Sequence, residues 1–99
     1  MATKIRRTAG SVFDALGFPP EEAAQLRIRA DLMGKLRQVI EQKEWTQAEA
    51  AKRLGVTQPR ISDLVRGKID RFSIDTLIAL LGAVGVSVTV TTRRRSRVA

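Results

Sequence analysis

A chain of 99 residues, 43% hydrophobic and 28% charged, is expected to fold as one domain around a modest core. It has no cysteine and no histidine, which excludes a disulfide framework, thiolate metal sites and the usual general base. Its formal net charge of +8 favours a polyanionic partner.

The location of that charge carries more than its total. Lys4, Arg6 and Arg7 supply three charges and Arg93, Arg94, Arg95 and Arg97 four, leaving 11 basic and 10 acidic groups in residues 8–92. Within that span residues 8–49 hold five basic and seven acidic groups, whereas residues 50–71 hold six basic and two acidic. The basic excess therefore falls on 50–71 and on both ends, with plain solubilising charge as the competing reading. No apolar run approaches the roughly 18–20 residues that span a bilayer. "MATKIRRTAGSVFDALG" has no apolar segment of signal-peptide length, so a cytoplasmic protein without membrane contact is expected.

In chain order, residues 1–19 read as a flexible arm. Val12, Phe13, Leu16 and Phe18 are apolar, but Gly10 and Gly17 interrupt them and no period is sustained. Pro19-Pro20-Glu21-Glu22 is a helix start, with proline tolerated in the first turn and acids favoured by the dipole. Leu26, Ile28, Leu32, Leu36, Val39 and Ile40 then continue a helix to about Lys43. Thr46 and Glu49 form a capping box that opens a second helix, ending at Leu54 with Gly55 as left-handed cap. Thr57 caps a third helix, where Pro59 fits the first turn, and Gly67 ends it. Ser73 with Asp75 starts a fourth through Leu77, Ile78, Leu80 and Leu81, stopped by Gly82 and Gly85.

"VSVTV" follows. Val86, Val88 and Val90 alternate with polar residues, which predicts a strand over 86–90. A lone strand leaves backbone groups unpaired, and pairing with the same strand of a second chain resolves this. Leu77 and Leu81 are expected to join Val86, Val88 and Val90 in that homodimer interface. Pairing with the N-terminal stub, or a disordered tail, is the alternative. Residues 92–99 form a basic tail.

The second and third helices make one constellation. Counting Gln47 as first, Ala51 is fifth, Gly55 ninth, Val56 tenth, Ile61 fifteenth and Leu64 eighteenth. A helix-turn-helix needs a small residue where its helices cross, a residue free to adopt positive φ in the turn, and a shared apolar seam. Ala51, Gly55 and the set Ala50, Leu54, Val56, Ile61 and Leu64 meet those needs. The competing reading is an ordinary helical hairpin. Trp45, just before the capping Thr46, is expected to pack on the core.

Residues 46–68 resemble the DNA-binding unit of the Cro/C1-type (XRE) helix-turn-helix family. The wider span, "SVFDALGF" through "FSIDTLIALLGAVGVSVTV", about residues 11–92, is similar to a subgroup of small XRE-type regulators that includes HigA-type antitoxins. The resemblance implies a mostly α, λ-repressor-like helix-turn-helix bundle, here with a C-terminal strand pairing across a homodimer. The domain occupies residues 20–91. The implied function is sequence-specific binding of double-stranded DNA at an inverted-repeat operator, as an autorepressor and as the antitoxin of a RelE-like toxin. The alternatives are a stand-alone phage-type repressor and a protein-interaction scaffold.

In that family the helix after the turn enters the major groove with its N-terminal residues on base edges. At about 100° per residue, Pro59, Ser62, Asp63 and Arg66 point outward, Ile61, Leu64 and Val65 inward, and Gln58 sits at the tip. Gln58, Pro59, Arg60, Ser62 and Asp63 are thus the expected base-reading set. Glutamine pairs with adenine, arginine with guanine, and a carboxylate accepts from cytosine N4. Gln47, Thr57, Arg66 and Lys68 are expected on phosphate, Gln47 and Lys68 through the resemblance alone. Lys52 and Arg53 read as a solvated face. The carboxylates Glu21, Glu22, Glu41, Glu44 and Glu49 lack a paired buried setting and no phosphate-binding glycine loop is present, so no enzyme, cofactor or metal is expected.

Overall fold

The computed structural model of the protein describes residues 15–94. Residues 1–14, with Val12 and Phe13 of the expected arm, and residues 95–99, with Arg95 and Arg97, lie outside the described residues. Helix α1 spans Pro20–Gln42, α2 Gln47–Leu54, α3 Gln58–Val65 and α4 Ile74–Ala83, with a 3-10 turn at Ile69–Arg71 between α3 and α4.

Each start is chemically specified. Pro19 and Pro20 open α1 with Glu21 and Glu22 in its first turn. At α2 the Thr46 amide donates to Glu49 Oε1 at 2.9 Å and the Glu49 amide donates to Thr46 Oγ1 at 3.1 Å, completing the capping box. Thr57 Oγ1 accepts from the Arg60 amide at 3.4 Å, and Ser73 Oγ accepts from the Thr76 amide at 3.1 Å. An apolar residue precedes each of these three caps, Trp45, Val56 and Phe72, and all three pack on the core. They stand five positions before Ala50, Ile61 and Leu77, the spacing of a hydrophobic staple.

The core is continuous through all four helices. Leu36 from α1, Ile61 and Leu64 from α3, and Leu77 and Leu81 from α4 are its most deeply buried large side chains. The main interfaces are α1 on α4 and α2 on α3. Helix α1 buries Leu32, Met33, Leu36, Val39 and Ile40 in its second half but only Ala23 in its first, where Leu26 is half-buried and Ile28 exposed.

Left-handed backbone makes the turns on either side of α2. Gly55, at φ 69°, reverses the chain between α2 and α3 while the Val56 amide donates to the Ala51 carbonyl at 3.0 Å. Between α1 and α2 the same conformation falls on Glu44, at φ 55°, a position that sequence reading did not single out. There the Trp45 amide closes on the Ile40 carbonyl at 3.2 Å and Trp45 lies half-buried against the core, so packing outweighs the local strain.

The C-terminal segment differs from expectation. Residues 86–90 pair with no other described segment, so no strand is formed among the described residues. The period of two is used within the chain instead. Val86 and Val88 pack half-buried on the core, Ser87 and Thr89 face out, and the Val86 amide donates to the Leu81 carbonyl at 2.9 Å. Leu77 and Leu81 are 0% exposed and offer no surface to a second chain. Helix α4 also runs through Gly82 to Ala83, and Gly85, at φ 79°, makes the turn.

The amide of Thr46 holds the Glu49 carboxyl below the ordinary carboxylate range. A depressed folded-state value means that this contribution is present above the unfolded value and is lost as pH falls through the folded one. Glu49→Ala should therefore lower the melting temperature at neutral pH. Thermal melts across an acid series should show its gap to the parent protein closing as the carboxylate protonates.

Candidate nucleic-acid interface

Helix α3 has eight residues and three kinds of surface. Its inner side, Ile61 and Leu64, is buried at 1% and 0% exposure against the rest of the core. Val65, expected inward, is instead 37% exposed, because the helix ends before its next turn could cover it.

One flank is tied to the segment after it. Arg60 and Asp63 stand three residues apart, hence on one side of the helix. Arg60 Nη1 donates to the Arg71 carbonyl at 2.7 Å, and its guanidinium lies 4.2 Å from the centre of the Phe72 ring. Arg71 Nη1 in turn donates to Asp63 Oδ2 at 3.3 Å, an ion pair whose side chains are 53% and 19% exposed. Sequence reading placed Arg60 and Asp63 in the base-reading set, Asp63 among the outward residues. In the structure both are half-buried and engaged by Arg71 and Phe72.

The remaining surface faces outward. Gln58, Pro59 and Arg66 are exposed and Ser62 is half-buried. Thr57 is exposed, with its hydroxyl oxygen accepting in the cap. Gln47 is exposed at the first position of α2, and Lys68 is half-buried just after Gly67, whose φ of 73° lets the chain leave α3. Thus Gln58, Pro59 and Ser62 share α3, with Thr57 and Arg66 capping its two ends, while Gln47 sits on a separate helix start. Lys52 is exposed, and Arg53 lies 5.4 Å from the Trp45 ring centre, so it covers an aromatic face as well as meeting solvent.

Among the described residues no helix is long and apolar enough to cross a membrane, and no group of His, Cys, Asp and Glu is placed to hold a metal ion. The profile of the helix-turn-helix domain family matches residues 12–93. A solved structure described as "Putative XRE Family Transcriptional Regulator" is 35% identical, with a TM-score of 0.68, covering 79% of this chain and 90% of that one. The chain belongs to the XRE-type helix-turn-helix family. No curated protein matches it.

Sequence reading of this XRE-type domain passed over Arg71 and Phe72. Phe72 carries a usable signal: it precedes the capping Ser73 and stands a staple's spacing before Leu77. Arg71 carries none. Its place depends on the 3-10 turn, which rests on the half-buried Ile69 and the packing of that turn on α1.

Proposed function

We propose that the chain is a sequence-specific DNA-binding transcriptional regulator that lays the outer face of α3 in the major groove. The observation that carries this reading is the division of α3: a sealed inner side, a tied flank, and an open face bearing Gln58, Pro59 and Ser62, continued by Arg66 at the C-cap. A helix whose inner face is locked presents its outer face in one orientation, as groove insertion requires. The six basic and two acidic groups of residues 50–71 supply the matching charge. Family and fold are those of a binding protein rather than an enzyme.

In this reading Gln58 pairs with an adenine edge, with Pro59 and Ser62 beside it, and Asp63 accepts from a cytosine amine. Arg60 braces the helix from behind more than it reads bases. Gln47, Thr57, Arg66 and Lys68 meet phosphate. The operator is an inverted repeat, read by a homodimer whose heads lie about one DNA turn apart, roughly 34–36 Å. Residues 86–90 are the contact proposed for that dimer. Their backbone has no ladder partner among the described residues, and Val90 is 75% exposed. Leu77 and Leu81, sealed in the core, drop out of that interface.

Autorepression with a RelE-like toxin as second partner extends this reading to a type II antitoxin. It is supported by the resemblance of residues 11–92 and by Leu16, 67% exposed, and Phe18, 36% exposed, at the end of the arm that would dock the toxin. A stand-alone repressor shares the DNA face and lacks only that second partner.

Selection from random duplexes should return an inverted repeat. On it, Gln58→Ala should cost about 1–3 kcal/mol at one base position. Arg66→Ala should weaken all sequences alike and flatten the salt dependence by about one unit of slope. Uniform loss after Gln58→Ala would remove Gln58 from the reading surface. Val88→Pro takes one donor from the proposed ladder and should shift the protein from dimer to monomer in sedimentation. A surviving dimer would move the interface elsewhere.

A further inference from the structure

The clasp beside α3 poses an electrostatic problem. A carboxylate on a helix that enters an anionic groove is repelled by phosphates on both sides, and low-dielectric confinement between protein and DNA strengthens that repulsion. Asp63 is the only acidic residue within α3. It is also only 19% exposed, so solvent shields it poorly.

We infer that Arg71 is a specificity-determining positioning residue: its guanidinium neutralises and aims the Asp63 carboxylate so that α3 enters the groove. This rests on the DNA-binding reading above. The 3.3 Å contact ties Oδ2 to Arg71 and fixes the direction in which the other carboxylate oxygen is offered. Arg71 is itself held from several sides. Its amide donates to the Lys68 carbonyl at 3.0 Å, and its carbonyl accepts from Arg60 Nη1. The next residue, Phe72, is 3% exposed under the Arg60 guanidinium. Arg60 therefore positions Arg71 through its backbone, and Arg71 positions Asp63 through its side chain. Two residues of α3 and two of the following segment make one closed unit.

An arginine that merely meets phosphate would act independently of Asp63, so a double-mutant cycle separates the two roles. Duplex binding is measured by fluorescence anisotropy for the full chain, Arg71→Ala, Asp63→Asn and the double variant, with a thermal melt of each. The expected result is a loss of about tenfold or more for Arg71→Ala, with most of it restored by adding Asp63→Asn. In the parent background Asp63→Asn should change total affinity far less while relaxing the preference for cytosine at one position. Equal factors for Asp63→Asn in both backgrounds would overturn the inference and leave Arg71 as a simple phosphate contact. If Arg71→Ala lowers the melting temperature, Arg71→Gln, which keeps the side-chain stem without the charge, replaces it in the cycle under the same criterion. Failure of the parent protein to bind any duplex would sink the DNA reading itself, and this inference with it.

Discussion

Everything on the outer face of α3 depends on how its inner face is held. An eight-residue helix is too short to persist in water alone, because nucleation costs more than so few hydrogen bonds return. Burial of Ile61 and Leu64 supplies what the backbone lacks. Ala50 and Ala51, 0% and 7% exposed, leave room for the close approach of α3, and Leu54 fills the remaining gap. Thr57 and Pro59 then set where the helix begins, so that Gln58 falls at its tip. Seam, cap and tip form one causal chain from core packing to surface chemistry.

The second constraint is charge. The face proposed to meet DNA contains an acid, and the fold does not hide it but pairs it. Arg60, Asp63, Arg71 and Phe72 join α3 to the start of α4 through one hydrogen bond to backbone, one ion pair and one guanidinium over a ring. An ion pair whose arginine is 53% exposed contributes little to stability. The Arg71–Asp63 pair is better understood as a device for orientation than as a stabilising strut.

What was legible in the sequence was local. Thr46 with Glu49, Gly55, Thr57 and Ser73 state their roles through chemistry within three or four residues, and the structure places each as expected. The apolar spacing around Ala51, Ile61 and Leu64 was equally plain. The left-handed Glu44 was not, because tertiary packing of Trp45 imposes a conformation that glutamate does not favour. Nor was the inward turn of Arg60: a wheel drawn at constant angle cannot know that a 3-10 turn will bring Arg71 and Phe72 against that flank. The alternation over 86–90 put Val86, Val88 and Val90 on one face, of which only Val86 and Val88 are half-buried while Val90 is 75% exposed. It could not say that the inner face would meet the chain's own core.

The most direct test of the groove-facing role of α3 is an NMR titration of the full chain with its selected duplex, following every backbone amide. The largest shifts are expected at Gln47, at Thr57 through Ser62, and at Arg66 through Lys68, with the second half of α1 unmoved. Shifts confined to α1 or to residues 84–94, with α3 silent, would contradict that role.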